Sequence, residues 1–218
     1  MNRQAWNSFE QARNTILQNN IPVDYNLLCD TDVIFFGDQH SNQPIRDHLC
    51  AHAASLKSAG ITHFAVEAPT LEDVPMSDIL LCRTLAKNRI SVLPVDIDQS
   101  SGPTGEEREA FIFNALSKIL RSGSIVKVAV LIGSFHMSKK KILTPRILST
   151  ATRIESAGFS TRRLMFCGGY NRIPTIFTEP ARLAGLGQKE FAFDARPYGE
   201  DGPFGGDADF IIHLAQSP

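Results

Sequence analysis

Four short apolar runs, each ending on a glycine or an acid, constrain this fold more than any other feature. VIFF (Val33–Phe36) runs into Gly37-Asp38-Gln39-His40, and HFAVEA (His63–Ala68) closes around Glu67. SVLPVDID (Ser91–Asp98) ends on Asp96 and Asp98, and the run Val126–Ile132 leads into Gly133-Ser134-Phe135-His136. Between them the apolar spacing changes to that of helices. Ile45, Leu49, Ala53 and Leu56 form one stripe, with Gly60 as its stop, and Ile79, Leu80, Cys82, Leu85 and Ala86 form another over 77–88. Thr104 with Glu107 reads as a capping box for a helix through EREAFIFNALSKILRSG. Strands alternating with helices of this length predict β-α-β units and a mainly parallel sheet flanked by helices, an α/β fold.

The flanks are read in the same way. A first helix is expected over residues 3–19, carried by Trp6, Phe9, Ala12, Ile16 and Leu17. Another helix is expected over 144–157, ending at Gly158, then a strand over Thr161–Cys167. Residues 168–207, rich in Gly, Pro and Arg, read as loops with one short helix near Pro180–Leu186. DADFIIHLAQ reads as a final strand. No linker composition divides the 218 residues, so the chain is read as a single α/β domain over 1–218, with its motifs within 30–140.

Charge and cysteine content exclude several functions. Twenty-two basic and 23 acidic residues give a net charge of −1, which offers no footprint for nucleic acid or an anionic membrane. The run Lys139-Lys140-Lys141 reads as a solvated helix start. Cys29, Cys50, Cys82 and Cys167 form no Cys-x-x-Cys pair, so they read as buried free thiols of a reducing compartment. With no signal-peptide core and no apolar run near 18 residues, a cytoplasmic location is expected, signal-less secretion being the alternative. The oligomeric state is not legible.

Ligands of parallel sheets bind beyond the carboxyl ends of the strands. There the sequence places Asp38 and His40, Glu67, Asp96 and Asp98, and His136. Histidine can act as a base toward water or ligate a metal, and carboxylates can orient it or share the ion. A nucleophilic serine elbow and a phosphate-binding P-loop are both missing from the sequence. The expected chemistry is attack by water, assisted by His40 and His136, with Glu67 orienting or co-ligating. Asp98 or Asp96 completes the set on the substrate side, and Arg108 binds a substrate anion. His40, Glu67 and His136 are the candidate ligands for Mn, Co, Fe or Zn. His48 and His52 have the i,i+4 spacing of a shared metal but lack the glutamate of H-E-x-x-H, and read as satisfied histidines. His63 reads as structural.

These motifs resemble the Tiki/TraB, erythromycin-esterase and ChaN-like superfamily. The matching residues are GDQH (Gly37–His40), AVEAP (Glu67), EREAFIFNAL (Arg108, Glu109, Asn114) and IGSFHM (Gly133–His136). The closing DADFIIHL is similar to a late Asp-x-x-Ile-His strand, which adds Asp209 and His213. Asp38 stands where that family carries Glu. The resemblance implies substrate contacts from Asn114 and His213. It implies three activities: hydrolysis of an ester, metal-dependent hydrolysis of a peptide, or haem binding. The haem reading would call on a tyrosine, and the chain has Tyr25, Tyr170 and Tyr198. The same fold also occurs as a non-catalytic module of effectors and toxins. The implied partner is a small-molecule or peptide substrate.

Overall fold

The computed structural model describes residues 9–38, 42–123, 125–139, 147–168, 178–201 and 207–215. In chain order the elements are α1 (Phe9–Asn19), β1 (Asn20–Ile21), α2 (Tyr25–Leu28), β2 (Val33–Asp38), α3 (Gln43–Ala51) and α4 (Ala53–Ser58). They continue with β3 (His63–Val66), α5 (Met76–Lys87), β4 (Ser91–Pro94), α6 (Gly105–Leu120), β5 (Val128–Gly133) and α7 (Thr150–Ser156). The last are β6 (Thr161–Gly168), α8 (Thr178–Leu183), β7 (Phe191–Asp194) and β8 (Phe210–Leu214). The chain forms two compact units, Tyr25–Arg162 and Met1–Asp24 with Arg163–Pro218.

In the unit Tyr25–Arg162 four strands pair in the order β2-β5-β3-β4, all parallel. Asp38 lies opposite Gly133, and Val66 lies opposite both Leu131 and Pro94, so the carboxyl ends come out level. Every residue of β2 and β5 is buried. Burial on both faces is why these strands read as unbroken apolar runs rather than alternating ones. Helix α3 packs on α5, and α6 packs on α7.

Two expectations for this unit need correction. The third strand stops at Pro94 rather than Asp98: Val95 N–H and Asp96 N–H still donate to the Val66 and Ala68 carbonyls at 3.1 and 3.0 Å, and the chain then turns at Asp98. The helix expected over 43–60 is two, α3 and α4, divided at His52 (φ −97°, ψ 8°). Nothing in the local sequence Cys-Ala-His-Ala marks that break. The capping box is present as expected: Glu107 N–H donates to Thr104 Oγ1 at 3.3 Å, and Thr104 N–H to Glu107 Oε2 at 2.8 Å.

In the other unit the strand order is β1-β7-β8-β6. β6 and β8 are parallel, while β7 is antiparallel to both β8 and β1. β7 lies inside the stretch expected to be loops. Its run Phe-Ala-Phe-Asp is too short to show a period, yet Phe191, Ala192 and Phe193 are buried. Gly168 ends β6 at φ +87°, where an added Cβ would meet the Leu214 carbonyl oxygen at 2.4 Å. The position admits only glycine.

Candidate functional site

The capping box fixes where α6 begins and therefore its rotation. Consecutive helical residues point about 100° apart, so Arg108 and Glu109 reach different partners. Arg108 grips Asp96 with two bonds, Nε to Oδ1 at 2.9 Å and Nη2 to Oδ2 at 2.6 Å, and its Nη2 also donates to Glu67 Oε1. The hydrogen bonds to Asp96 hold the Arg108 guanidinium pKa above its ordinary value, outweighing partial burial. The second Glu67 oxygen accepts from Gly133 N–H at 2.7 Å. The glycine at the end of β5 thus seats the acid at the end of β3.

Glu109 points the other way. Its Oε1 lies 2.5 Å from His136 Nδ1, and its Oε2 accepts from Thr150 N–H at 2.5 Å and Thr150 Oγ1 at 2.6 Å. Glu109 and His136 are both buried. A carboxylate only accepts, so Nδ1 carries the proton that points at Glu109. In the neutral ring Nε2 keeps its lone pair, 3.8 Å from Glu67 Oε1. This is the arrangement of a general base held by a carboxylate.

A second charged cluster adjoins the first. Arg46, on α3, donates through Nη1 and Nη2 to the two oxygens of Asp38, both at 2.6 Å, and through Nε to Asp78 at 2.6 Å. All three are buried. Burial works against the Arg46 charge, but the bonds to Asp38 and Asp78 outweigh it and the net shift is upward. Asp38, Arg46, Glu67, Ser77 and Asp78 line a cavity of about 90 Å³.

Of the residues singled out in the sequence, the structure brings Glu67, Asp96 and Arg108 into one hydrogen-bonded set and places His136 beside it, its Nε2 3.8 Å from Glu67 Oε1. Asp98 is not in it: it is exposed and accepts from Ser100 N–H at 2.8 Å, capping a turn. Those bonds lower its pKa. Asn114 is exposed on α6. His40 and Tyr170 lie outside the described residues. Arg46, Asp78 and Thr150 were not anticipated, and Glu109 was noted only as part of a motif.

The described metal candidates, Glu67 and His136, are committed to Arg108, Gly133 and Glu109. A guanidinium stands where a cation would share Glu67. Tyr25 is bonded to His48, and Tyr198 stacks on Phe193 with ring centroids 5.6 Å apart. All four cysteines are free, and burial pushes the Cys29 thiol up to about 12 and Cys82 to about 11, which removes them as nucleophiles at neutral pH. No helix among the described residues is long and apolar enough to cross a membrane.

Asp209 and His213 belong to the other unit. Asp209 accepts from Arg163 N–H at 2.8 Å. His213 is fully buried in β8, stacked on Phe191 at 4.8 Å, with Nδ1 3.0 Å from the Lys189 carbonyl. Burial lowers its pKa below 6.5, and the bond to Lys189 opposes this. As pH falls through about 6.5, the unfolded chain takes up a proton that folded His213 resists. Stability is therefore expected to fall on acidification, and a His213→Phe variant to lose part of that slope. An unchanged pH–stability profile in the variant would refute this.

A Bacillus cereus protein matches with a TM-score of 0.55 at 9% identity, over 96% of this chain and 98% of that one. A structure of bacterial protein toxins matches at 0.52 and 15% identity, over 75% of this chain but only 41% of that one. The type III effector HopBA1 gives 0.49 at 16% identity, over 88% and 92%. The likeness is one of fold. It agrees with the α/β class expected from the strand and helix alternation. No family model and no curated protein matches the chain.

Proposed function

We propose that this chain is a hydrolase that directs water at an ester or peptide bond, with His136 as the general base. The observation that carries the reading is the Glu109–His136 pair. Glu109 fixes the ring through Nδ1, and Nε2 is left as the acceptor beside Glu67, at the edge where four parallel strands end. In this reading His136 takes the proton of the attacking water. Glu67, held by Arg108 and Gly133, orients that water. Arg108 Nη1, without a hydrogen bond to the described residues, is the donor for the oxygen on which charge develops. Phe135, 73% exposed beside His136, offers an apolar contact to the substrate. The order of GDQH, AVEAP, EREAFIFNAL and IGSFHM supports kinship with the Tiki/TraB and erythromycin-esterase group.

The test is turnover of a panel of esters and peptides, with and without added Mn or Co, by the wild type and by His136→Ala. Removing a general base is expected to cost about 10²–10⁴-fold in rate. Equal turnover by the two proteins would refute the assignment.

A second reading is a non-catalytic effector or toxin module. It is favoured by the toxin likeness, in which this chain corresponds to one part of a longer protein. The closed ion-pair network around Arg108 would serve a purely structural role equally well. Arrest of growth on expression, undiminished in His136→Ala, would select this reading.

A further inference from the structure

We infer a divalent transition-metal site at His48, on α3, and His52, the residue that divides α3 from α4, apart from the strand-end cluster. The two histidines stand one helical turn apart, and His52 N–H still donates to the His48 carbonyl at 3.0 Å although α3 ends at Ala51. Their rings therefore keep the i,i+4 relation. The ring centroids are 4.4 Å apart with planes tilted by 39°, and a ring nitrogen of each lies within 4.8 Å of the other. Two imidazole nitrogens on one tetrahedral ion stand about 3.4 Å apart, given bonds of about 2.0–2.1 Å. A modest side-chain rotation of half-buried His52 closes the difference.

The surroundings fit the chemistry of ligation. Tyr25 is buried in α2, and its hydroxyl lies 2.6 Å from His48 Nε2. A metal-ligating histidine commonly donates its other ring N–H to such an outer partner, which fixes the tautomer and turns the ring. With Nε2–H donating to the phenol oxygen, Nδ1 of His48 carries the lone pair for the ion. His52 reaches solvent and provides the way in. Imidazole donors select Zn, Co, Ni or Cu over Mg or Ca. The ion would clip α2 to α3 at the point where α3 gives way to α4, so binding would stabilise the fold. None of this depends on the hydrolase reading.

The experiment uses the tag-free full chain, stripped with chelator and titrated with Co(II). The visible absorption of bound Co(II) is followed, then Zn(II) is added in competition. Saturation at one ion per chain is expected, with a higher Tm in Zn(II). His52→Ala should lose affinity at least tenfold and abolish the Tm rise. Tyr25→Phe, which keeps the ring but not the hydroxyl, should weaken binding about 10–100-fold. His136→Ala should bind as the wild type does. Four results would overturn the site: no saturable binding, binding of several ions without a break, affinity unchanged in His52→Ala, or loss of binding in His136→Ala.

Discussion

Glu109→Ala is expected to lose about 3–5 kcal/mol of stability, the range for removing one partner from a buried charged pair. Glu109 is 2% exposed, and it alone answers three donors: His136 Nδ1, Thr150 N–H and Thr150 Oγ1. Alanine leaves all three facing a void, and each unanswered buried donor carries its own desolvation cost. Against a total stability of about 5–15 kcal/mol, such a loss brings many domains close to unfolding. Urea denaturation followed by circular dichroism measures it. Glu109→Gln separates the stability effect from the chemical one. The amide oxygen can still accept from one side, but its NH₂ then meets donors on the other. A smaller loss of stability is expected, with activity still reduced because His136 is no longer held. A Glu109→Ala midpoint equal to the wild type would mean the pair contributes nothing.

Arg46→Met is expected to destabilise by a similar amount, about 3–5 kcal/mol. The guanidinium is shared between Asp38 and Asp78, all three groups are buried, and each of its three bonds to these acids is 2.6 Å. Methionine fills much of the same volume, so the loss reports charge more than packing. Two acids are then left in one enclosed place with no counter-charge. Urea denaturation of wild type and variant measures this. Adding Asp38→Asn and Asp78→Asn to Arg46→Met removes the unpaired charges and should recover part of the loss. No recovery would show that lost packing, rather than unpaired charge, is the cause.

The strand ends were legible because the signal is local. A buried parallel strand writes itself as a continuous apolar run, and whatever follows must emerge at the carboxyl edge. Glu67, Asp96 and His136 were found in that way, and Arg108 from the helix start in EREAFIFNAL. Choosing between Asp96 and Asp98 required knowing that the backbone stays bonded beside β3 as far as Asp96, after which the chain turns and Asp98 serves that turn. Arg46 and Asp78 were not legible, because both lie on helices, and whether a helical side chain reaches a strand end depends on how the helix is rotated and placed. Glu109 stood in the quoted motif, but its partnership with His136 spans 27 residues and carries no spacing signature. β7 went unseen because four residues cannot display a period, and its burial comes from strands distant in sequence.

The capping box at Thr104 has a consequence for how relatives of this chain can vary. Residues 97–103 join Asp96 to the box, and their length does not set the rotation of α6. Insertions and deletions there can accumulate without moving Arg108 or Glu109. Between Thr104 and Glu109 no such freedom exists. One added residue would turn both side chains by about 100°, aiming Arg108 away from Asp96 and Glu109 away from His136. Homologues that keep this chemistry should therefore differ in the length of that connection while keeping four residues between a Ser/Thr cap and the buried glutamate.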